Sequence, residues 1–469
     1  MYGGVSLKDY EGASGFGMNP FGQVEDINKA LSAGYQSPGQ FGGAALRMES
    51  LEATLRIVTF TQANIKLWRA LPKLPAFSTV EEYTIQSSYG ADSGIFTREG
   101  ELPQASDATY ERKVAQVKFM GIQKEVTHPQ MLVRPAHGNV IALETQNGAI
   151  KLLESIERKL FTGNSLIVPE EFDGLYKQIT DDPVAAANNV LDMRGGPLTE
   201  DALEEAANIV VENYGVPTDL YLAPRALSDV AKQFYPRERV NLPAAIDGKV
   251  GLAVTAMQTN AGLINFQNDI FLRSGKNNSQ KYAPASATSA RAPSAPSAFT
   301  SVDNAGPVTG SKFRAGDAAT YFYRVTSINR FGESAAVNAA ASATVAAGDS
   351  VTLTITDGGG SDPATGYYIY RTRSVDTAIG QAQFMVAIPR ISGAATTTYV
   401  DLNLNLPSTS NSFMLQMNLQ NLSFRQLAPM IKIPLATLAA SVRWMQLLYG
   451  TPIVYSPRRN VIFINVLDD

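Results

Sequence analysis

The most regular pattern of apolar and polar positions lies between Gly138 and Thr162. At about 100° per residue its apolar side chains fall on one broad face of a helix, opposite the charged ones. The apolar face comprises Leu143, Ala149, Ile150, Leu152, Leu153, Ile156 and Leu160, and the polar face comprises Glu144, Lys151, Glu154 and Arg158. At about 1.5 Å per residue this helix would be roughly 35 Å long. Gly163 and Asn164 then supply a glycine-type end.

Before this helix, the runs 79–89 and 109–127 alternate as strands do. If they pair, they predict a hairpin of up to about 20 residues a side, which approaches about 60 Å at roughly 3.3 Å per residue. Most strands have about 5–6 residues, so one domain cannot cover a hairpin of this length, and we expect it to lie on another subunit. Two shorter hairpins inside a sheet, broken at Gly90 and Gly94, are the alternative.

The sequence after the helix predicts mixed α/β structure. Thr199 is a helix N-cap that acidic residues follow, and Pro224 begins a further helix after a short buried strand at 219–223. The same reasoning predicts strands at 251–255 and 264–272 and, near the N-terminus, a helix at 46–71 that ends before Pro72 and Pro75.

Composition changes at Ser279, where a stretch rich in Ala, Pro and Ser predicts a linker. Residues 299–406 then contain short alternating runs separated by turn signals, at the spacing of a β-sandwich. These runs are 320–329, 351–355, 366–371 and 398–401, and 407–410 predicts an exit linker. Apolar α/β sequence returns at 427–469, which indicates that the sandwich is inserted into another domain.

Overall composition limits the class of protein. A chain of 469 residues is long enough for two or three domains. A net charge of −4 argues against binding a polyanion by bulk charge, and the absence of cysteine excludes disulfides and thiolate metal sites. Neither a secretory signal nor a membrane-spanning run is expected, so the cytoplasm of the producing cell is the default location. Residues 1–45 are glycine-rich and should not fold alone.

A search for catalytic motifs predicts no active site, no cofactor and no metal site. The two histidines, His128 and His137, are separated by prolines and do not form a metal pair on one helix. The metalloprotease, nucleophile-elbow and dinucleotide motifs are missing, and the glycine-containing run at 306–312 is one residue short of phosphate-loop spacing. Glu99 and Glu101 are expected to be interface or solvated charges rather than an acid/base pair.

Three alternate polar residues, Asp401, Asn403 and Asn405, share one strand face. Their oxygens could bind calcium weakly, but a solvated strand face is the preferred interpretation.

The order of these parts resembles that of the major capsid proteins of tailed phages. In that family an N-terminal arm precedes a long extended loop, a spine helix and an axial domain, and the chain then returns to a peripheral domain. The run Phe172-Asp173-Gly174-Leu175 is similar to a short motif after the spine helix, and residues 94–100 are similar to the loop segment that meets the adjacent subunit. The sandwich runs resemble fibronectin type III and immunoglobulin-like modules of phage structural proteins, although the strand order departs from them.

The resemblance implies an α+β fold of the tailed-phage capsid type, shared with encapsulins, with an inserted immunoglobulin-like sandwich. It implies an arm at 1–45, a first capsid part at 46–283, the sandwich at 284–410 and a closing segment at 411–469. The first part would contain the extended loop 78–127, the spine helix 138–162 and an axial domain from about residue 180. The expected inter-subunit contacts are Tyr89, Phe96, Arg98, Glu99, Glu101, Tyr110 and Arg112.

The implied function is structural and not enzymatic. Copies would form the hexamers and pentamers of an icosahedral head shell around double-stranded DNA, assembled in the host cytoplasm. The expected partners are a scaffolding protein, a portal and a decoration protein, with no membrane. Two alternatives remain: an encapsulin-type compartment, which the inserted sandwich argues against, and a tail or adhesin component with a carbohydrate-binding sandwich, which leaves the spine helix unexplained.

Overall fold

The computed structural model describes residues 61–91, 95–102, 104–133, 138–238, 254–272, 282–436 and 439–467, with the backbone alone at 234–238. Nearly all of them belong to one compact unit, Ile57–Leu132 with Ile141–Asp469. The predicted arm at 1–45 lies outside the described residues, as does the first part of the predicted helix at 46–71. The described remainder holds a 3-10 turn and a four-residue helix, so a continuous helix is wrong there.

The described ranges contain these elements in chain order. The helices are α1 Leu67–Ala70, α2 His128–Leu132, α3 Val140–Thr162 (the spine helix), α4 Leu175–Thr180, α5 Pro183–Asn188, α6 Glu200–Glu212 and α7 Pro224–Glu238. The strands are β1 Lys73–Pro75, β2 Val80–Ser88, β3 Thr109–Gln116, β4 Lys118–Thr127, β5 Val190–Asp192, β6 Asp219–Leu222, β7 Ala256–Thr259, β8 Gly262–Asn268, β9 Ala298–Asn304, β10 Ala319–Tyr321, β11 Tyr323–Asn329, β12 Gly332–Glu333, β13 Val337–Asn338, β14 Ala343–Val345, β15 Ser350–Thr356, β16 Gly366–Arg371, β17 Gln383–Pro389, β18 Thr396–Asp401, β19 Thr409–Leu415, β20 Leu422–Pro434, β21 Ser441–Val454 and β22 Val461–Leu467. The 3-10 turns are Gln62–Asn64, Ile270–Leu272, Ala315–Asp317, Ile379–Gln381 and Pro457–Arg459.

The spine helix packs against a four-stranded sheet of order β1-β20-β21-β4. Leu152, Ile156 and Leu160 are buried in a core that includes Phe424 of β20, so the predicted helix and its apolar face are confirmed. The predicted polar face is wrong at one position, because Glu154 is buried. Its carboxylate pairs with the ammonium of Lys151, one turn earlier, and with the guanidinium of Arg158, one turn later. These ion pairs offset the cost of burying the Glu154 charge.

Two glycines form the tight junction where the spine helix ends. The N–H of Gly163 donates to the carbonyl of Lys159 at 2.8 Å, and the N–H of Gly174 donates to the carbonyl of Gly163 at 2.9 Å. A Cβ on Gly163 would lie 2.4 Å from the carbonyl oxygen of Phe172, and one on Gly174 would lie 2.6 Å from that of Lys159. The ring of Phe172 and the side chain of Leu175 enter the core beneath the helix. The 172–175 run is therefore a close-packed turn that brings the chain back under the helix.

A six-stranded sheet of order β5-β22-β19-β6-β8-β7 forms a second core with α6 and α7. The predicted cap is confirmed, because the Thr199 hydroxyl accepts the N–H of Ala202 at 3.2 Å, and β6 and α7 also lie where they were predicted. The strand predicted at 251–255 is displaced: β7 begins at Ala256, and 251–253 lie outside the described residues. The strand predicted at 264–272 ends at Asn268, and a 3-10 turn follows it.

Strands β9 to β18 form two facing sheets, one of order β18-β15-β9 and one of order β12-β11-β16-β17 with β13 also on β11. Strands β10 and β14 pair separately. Apolar side chains of both sheets meet in one core, among them Phe299, Val351, Leu353, Tyr323, Val325 and Ile369. The exit linker predicted at 407–410 is partly wrong, because β19 begins at Thr409 and pairs with β22 and β6 in the six-stranded sheet. The immunoglobulin-like assignment and the four domain boundaries stay predictions.

Among the described residues, the sandwich contacts the rest of the chain by apolar packing and by hydrogen bonds. Ile167 and Val168, just after the spine helix, pack against Ile328 of β11. On another side, the guanidinium of Arg194 donates to the carbonyl of Asn403 at 3.1 Å. The sandwich is thus held by apolar and polar contacts as well as by its covalent connections.

The predicted α+β class is confirmed, together with the order of extended hairpin, spine helix and returning sheet strands. Among the helices that the structure describes, none has the length and apolar character needed to cross a membrane.

Candidate functional site

The candidate site is the hairpin of β2 and β3, together with residues 89–108 that join the two strands. The strands pair antiparallel from Val80 opposite Gln116 to Ser88 opposite Thr109. They have nine and eight residues. At about 3.3 Å per residue the paired part is roughly 30 Å long, so the predicted hairpin of 20 residues a side was wrong.

The hairpin is shorter because the predicted strand at 109–127 is two strands. Val117 lies between them with its side chain buried, and its N–H donates to the carbonyl of Thr79 at 2.9 Å. From Lys118 onward the chain pairs with β21 instead, beginning opposite Gly450. The hairpin therefore starts directly from the edge of the four-stranded sheet, which anchors its base.

The two faces of the hairpin differ in their surroundings. Tyr83 lies on the inner face, where its ring meets the ring of Tyr455 edge-on at a centroid distance of 5.1 Å. Burial, and the neighbouring Tyr455, raise the pKa of Tyr83. A cleft of about 440 Å³ lies there between Lys113 of the hairpin and Asp173 of the body. The outer face carries Tyr110, Arg112 and Val114, all exposed.

The loop at the tip exposes large apolar side chains. Tyr89, Phe96 and Leu102 are 93%, 97% and 94% exposed. A single exposed apolar residue is unremarkable, but several on one projecting segment indicate a surface that contacts another molecule. The exposed apolar side chains described at the tip therefore form a surface suited to contact with another molecule.

The polar residues predicted in the loop organise a local turn. The N–H of Arg98 donates to the carboxylate of Glu101 at 3.3 Å, and the N–H of Glu101 donates to the carbonyl of Arg98 at 3.1 Å. Gly100 permits this turn, since its φ of +88° is unfavourable for other residues. Glu99 in the same turn is exposed.

The remaining predicted polar contact, Arg112, lies on the paired part of the hairpin. Its guanidinium donates to the carboxylate of Glu82 across the two strands at 3.2 Å. Both side chains are largely exposed, so this pair contributes less than about 1 kcal/mol within one chain. Whether the predicted loop residues touch another subunit stays a prediction.

The list of expected contact residues leaves out five exposed apolar residues of this region. Ile95 and Leu102 lie in the loop, Val114 lies on the outer face of β3, Val80 begins β2 and Phe77 precedes it. The available signal was a large apolar residue within a polar stretch, as Leu102 is beside Glu101.

The described residues contain no group of three or more His, Asp or Glu side chains that could hold a metal ion. The solvated strand face predicted for Asp401 and Asn403 is wrong, because both side chains are buried. The Asp401 carboxylate binds the guanidinium of Arg371 at 2.6 Å and accepts the hydroxyl of Tyr323 at 2.9 Å. His128 is exposed at the start of α2, and His137 lies outside the described residues.

Comparison with curated proteins finds relatives that share nearly the whole chain. A provisionally named major capsid protein of Enterococcus phage phiEF24C is 26% identical over 448 residues, which is 93% of this chain and 93% of that protein. The major capsid proteins of Staphylococcus phages S25-3 and K are each 25% identical over 447 residues, with the same coverage of both chains. No family model matches the chain.

Comparison with solved structures finds more distant similarities. The capsid of the native GTA particle matches with a TM-score of 0.46 and 8% identity, over 93% of this chain and 100% of that one. Mycobacterium phage Adephagia matches with a TM-score of 0.45 and 9% identity, over 93% and 99%. The SrpI encapsulin of Synechococcus elongatus PCC 7942 matches with a TM-score of 0.37 and 12% identity, over 90% and 94%.

Proposed function

We propose, from the premise that this chain is a homologue of phage major capsid proteins, that it assembles with copies of itself into the icosahedral head shell around double-stranded phage DNA. Hexamers and pentamers would be its assembly units. The observation that carries this proposal is the match to phage major capsid proteins across 93% of both chains.

The length of the match also bears on the inserted sandwich. The unmatched 7% of the chain is much shorter than the segment 284–410, so most of that segment is aligned to sequence in the relatives. A segment with counterparts in several such proteins supports a role in the shell rather than a role peculiar to one phage.

The extended loop supports assembly by copies of this chain. Its exposed Tyr89, Phe96 and Leu102 have little apolar burial in their own subunit. Burying the three side chains on a neighbour would contribute roughly 1.5–3 kcal/mol each before the cost of ordering the loop. Repeated around a closed ring of subunits, such contacts become an obligate interface.

The proposal includes further parts that follow from the resemblance. A scaffolding protein and a portal would act during assembly in the host cytoplasm, the finished virion would hold the protein in its capsid, and a decoration protein would bind the outer surface. The role is structural rather than enzymatic and involves no membrane. An encapsulin-type compartment is less well supported, because the named relatives are phage capsid proteins. The tail or adhesin alternative gains no support from those names.

Electron microscopy of material expressed with and without a scaffolding partner tests the proposal. We expect closed shells from the natural chain. The variants Phe96→Asp and Leu102→Asp should give soluble protein with unchanged circular dichroism but no shells, because both side chains are exposed and the fold does not need them.

The matched control is Val375→Asp, which places the same charge on an exposed apolar residue of the sandwich. We expect this variant to assemble. Small oligomers of the natural chain under every condition, or shells from both loop variants, would contradict the proposal. Protein cargo inside the shells, with no protected DNA in particles from infected cells, would favour the compartment alternative.

A further inference from the structure

Two carboxyl groups lie side by side in the core where the spine helix passes the six-stranded sheet. Glu157 belongs to the helix, and Asp269 follows β8. Both residues have 0% exposure. Two buried carboxylates in contact repel each other strongly, so such a pair normally keeps one proton.

The hydrogen bonds of Glu157 identify it as the charged member. Its carboxylate accepts the backbone N–H groups of Lys66, Leu67 and Trp68 at 2.8, 2.6 and 2.8 Å. These are the first N–H groups of α1, which have no partners inside the helix. Three N–H donors stabilise a negative charge, and this one side chain holds the 66–68 backbone on the spine helix.

The hydrogen bonds of Asp269 identify it as the protonated member. Its Oδ1 accepts the N–H of Phe271 at 2.8 Å, whereas its buried Oδ2 has no hydrogen-bond partner if the group is a carboxylate. A proton on Oδ2 supplies the missing bond, because it can be donated to Glu157. Burial and the adjacent Glu157 charge raise the pKa of Asp269 to about 8.

The other ionisable groups around the pair do not neutralise it directly. Lys66 donates to the side chain of Asn268, and Lys73 donates to the carbonyl of Trp68 at 2.6 Å. From the sheet side Tyr221 faces both carboxyls, with Asp219 beside it, and burial raises the pKa of Tyr221 so that it stays neutral. From the helix, Arg158 pairs with Glu154 and lies 5.6 Å from the ring of Phe271.

We propose that Glu157 and Asp269 form a proton-dependent clasp, which holds residues 66–71 on the spine helix while the pair shares a proton and releases them as alkaline pH removes it. Residues 66–71 lead directly into β1, so the clasp controls how firmly the backbone before that strand is held against the spine helix. This inference does not depend on the proposed function.

The sign and size of the effect follow from linkage. The closed clasp binds its proton with a pKa of about 8, whereas an exposed aspartate in the open state has a pKa of about 3.9. Between these values the closed state holds one more proton, so the ratio of closed to open clasp falls about tenfold for each pH unit of increase. Above the closed-state pKa both states are deprotonated, and the ratio levels off.

Hydrogen exchange followed by mass spectrometry on the full chain tests the clasp. The protection of a peptide covering 61–72, corrected for the intrinsic pH dependence of exchange, should fall about 100-fold between pH 6 and pH 9. In the Asp269→Asn variant, the side-chain amide still accepts the N–H of Phe271 and donates to Glu157, but it has no proton that titrates. We expect the protection of the 61–72 peptide in this variant to change less than about threefold between pH 6 and pH 9.

Asp181→Asn is the matched control, because Asp181 is a partly exposed aspartate on the body that lies outside the clasp. It should respond to pH as the natural chain does. Equal protection of 61–72 at both pH values in the natural chain would overturn the proposal. An equal loss of protection in the Asp269→Asn variant would also overturn it. So would an equal loss in the sandwich strands, because that would indicate global unfolding. If the Asp269→Asn variant does not fold, the test is the protection of 61–72 relative to the sandwich strands in the natural chain at the two pH values.

Discussion

Replacing Arg371 by Met should destabilise the sandwich far more than the same change at an exposed arginine. Arg371 and Asp401 have 1% side-chain exposure each, and their charges are 2.6 Å apart. The guanidinium also donates to the side-chain oxygen of Asn403 at 2.7 Å and lies 4.9 Å from the ring of Tyr321. Removing it leaves Asp401 buried with the Tyr323 hydroxyl and a backbone N–H as donors, which costs about 3–5 kcal/mol.

The control is Arg291→Met in the same module. Arg291 is 60% exposed, pairs with Asp362 at 3.0 Å and stacks 3.6 Å from the ring of Phe331. Its loss should cost roughly 1 kcal/mol or less. The chain has several cores and need not unfold in one step, so the assay must report on the module itself.

Urea unfolding followed by hydrogen exchange of peptides from β11 and β16 provides that report. With a urea dependence of about 2 kcal/mol per molar, Arg371→Met should lower the midpoint by about 2 M and the control by about 0.5 M. Adding Asp401→Asn to the first variant should restore part of the loss, because the amide carries no charge. Equal shifts for the two arginine variants would refute the reasoning.

Three further changes test the fold. Gly163→Ala places a Cβ 2.4 and 2.6 Å from two backbone oxygens and should cost more than about 2 kcal/mol in urea unfolding, whereas Gly316→Ala, with nothing within 4 Å, should be close to neutral. Thr199→Ala removes a helix cap and should cost about 1 kcal/mol, measured in the same way. Ile167→Asp puts a charge into the buried contact with the sandwich and should raise hydrogen exchange along β11, while Leu166→Asp at the exposed neighbour should not. Unchanged exchange in Ile167→Asp would show that this contact does not hold the module.

The spine helix was predictable because its periodicity depends on the helix alone. The structure places it at Val140–Thr162, within two residues of the predicted start and with the predicted end. The burial of Glu154 and Glu157 was not predictable in the same way. The donors that bind Glu157 lie about 90 residues earlier in the chain, and no local pattern indicates them.

The hairpin shows a different limit. Alternation identifies a strand and its two faces, but it does not identify the neighbouring strand. Ala115, Val117 and Phe119 alternate with Gln116 and Lys118 across the point at which the pairing changes from β2 to β21. The buried Val117 that separates them looks like any other apolar position of the alternating run.

The buried pair of Arg371 and Asp401 shows why a polar face was misassigned. A row of alternate Asp and Asn residues usually faces water, and no local pattern indicates that this row is buried. The strand 366–371 ends with an arginine that points into the same core, 30 residues before Asp401. Opposite charges on two predicted strands were visible in the sequence, but their pairing required the topology.

The anchored base and the exposed tip of the extended loop have a common physical basis. At the base, β4 continues from the hairpin into the sheet, where it pairs along its length with β21. On β21, the amide of Gln446 donates to the carbonyl of Thr145 in the spine helix at 2.6 Å. The direction of the hairpin is thus coupled to the helix through one intervening strand. Because β2 and β3 are already paired in the single chain, binding at the tip would cost little conformational entropy in these two strands. We therefore expect a shift of the spine helix relative to its sheet to change the direction of β2 and β3 as well.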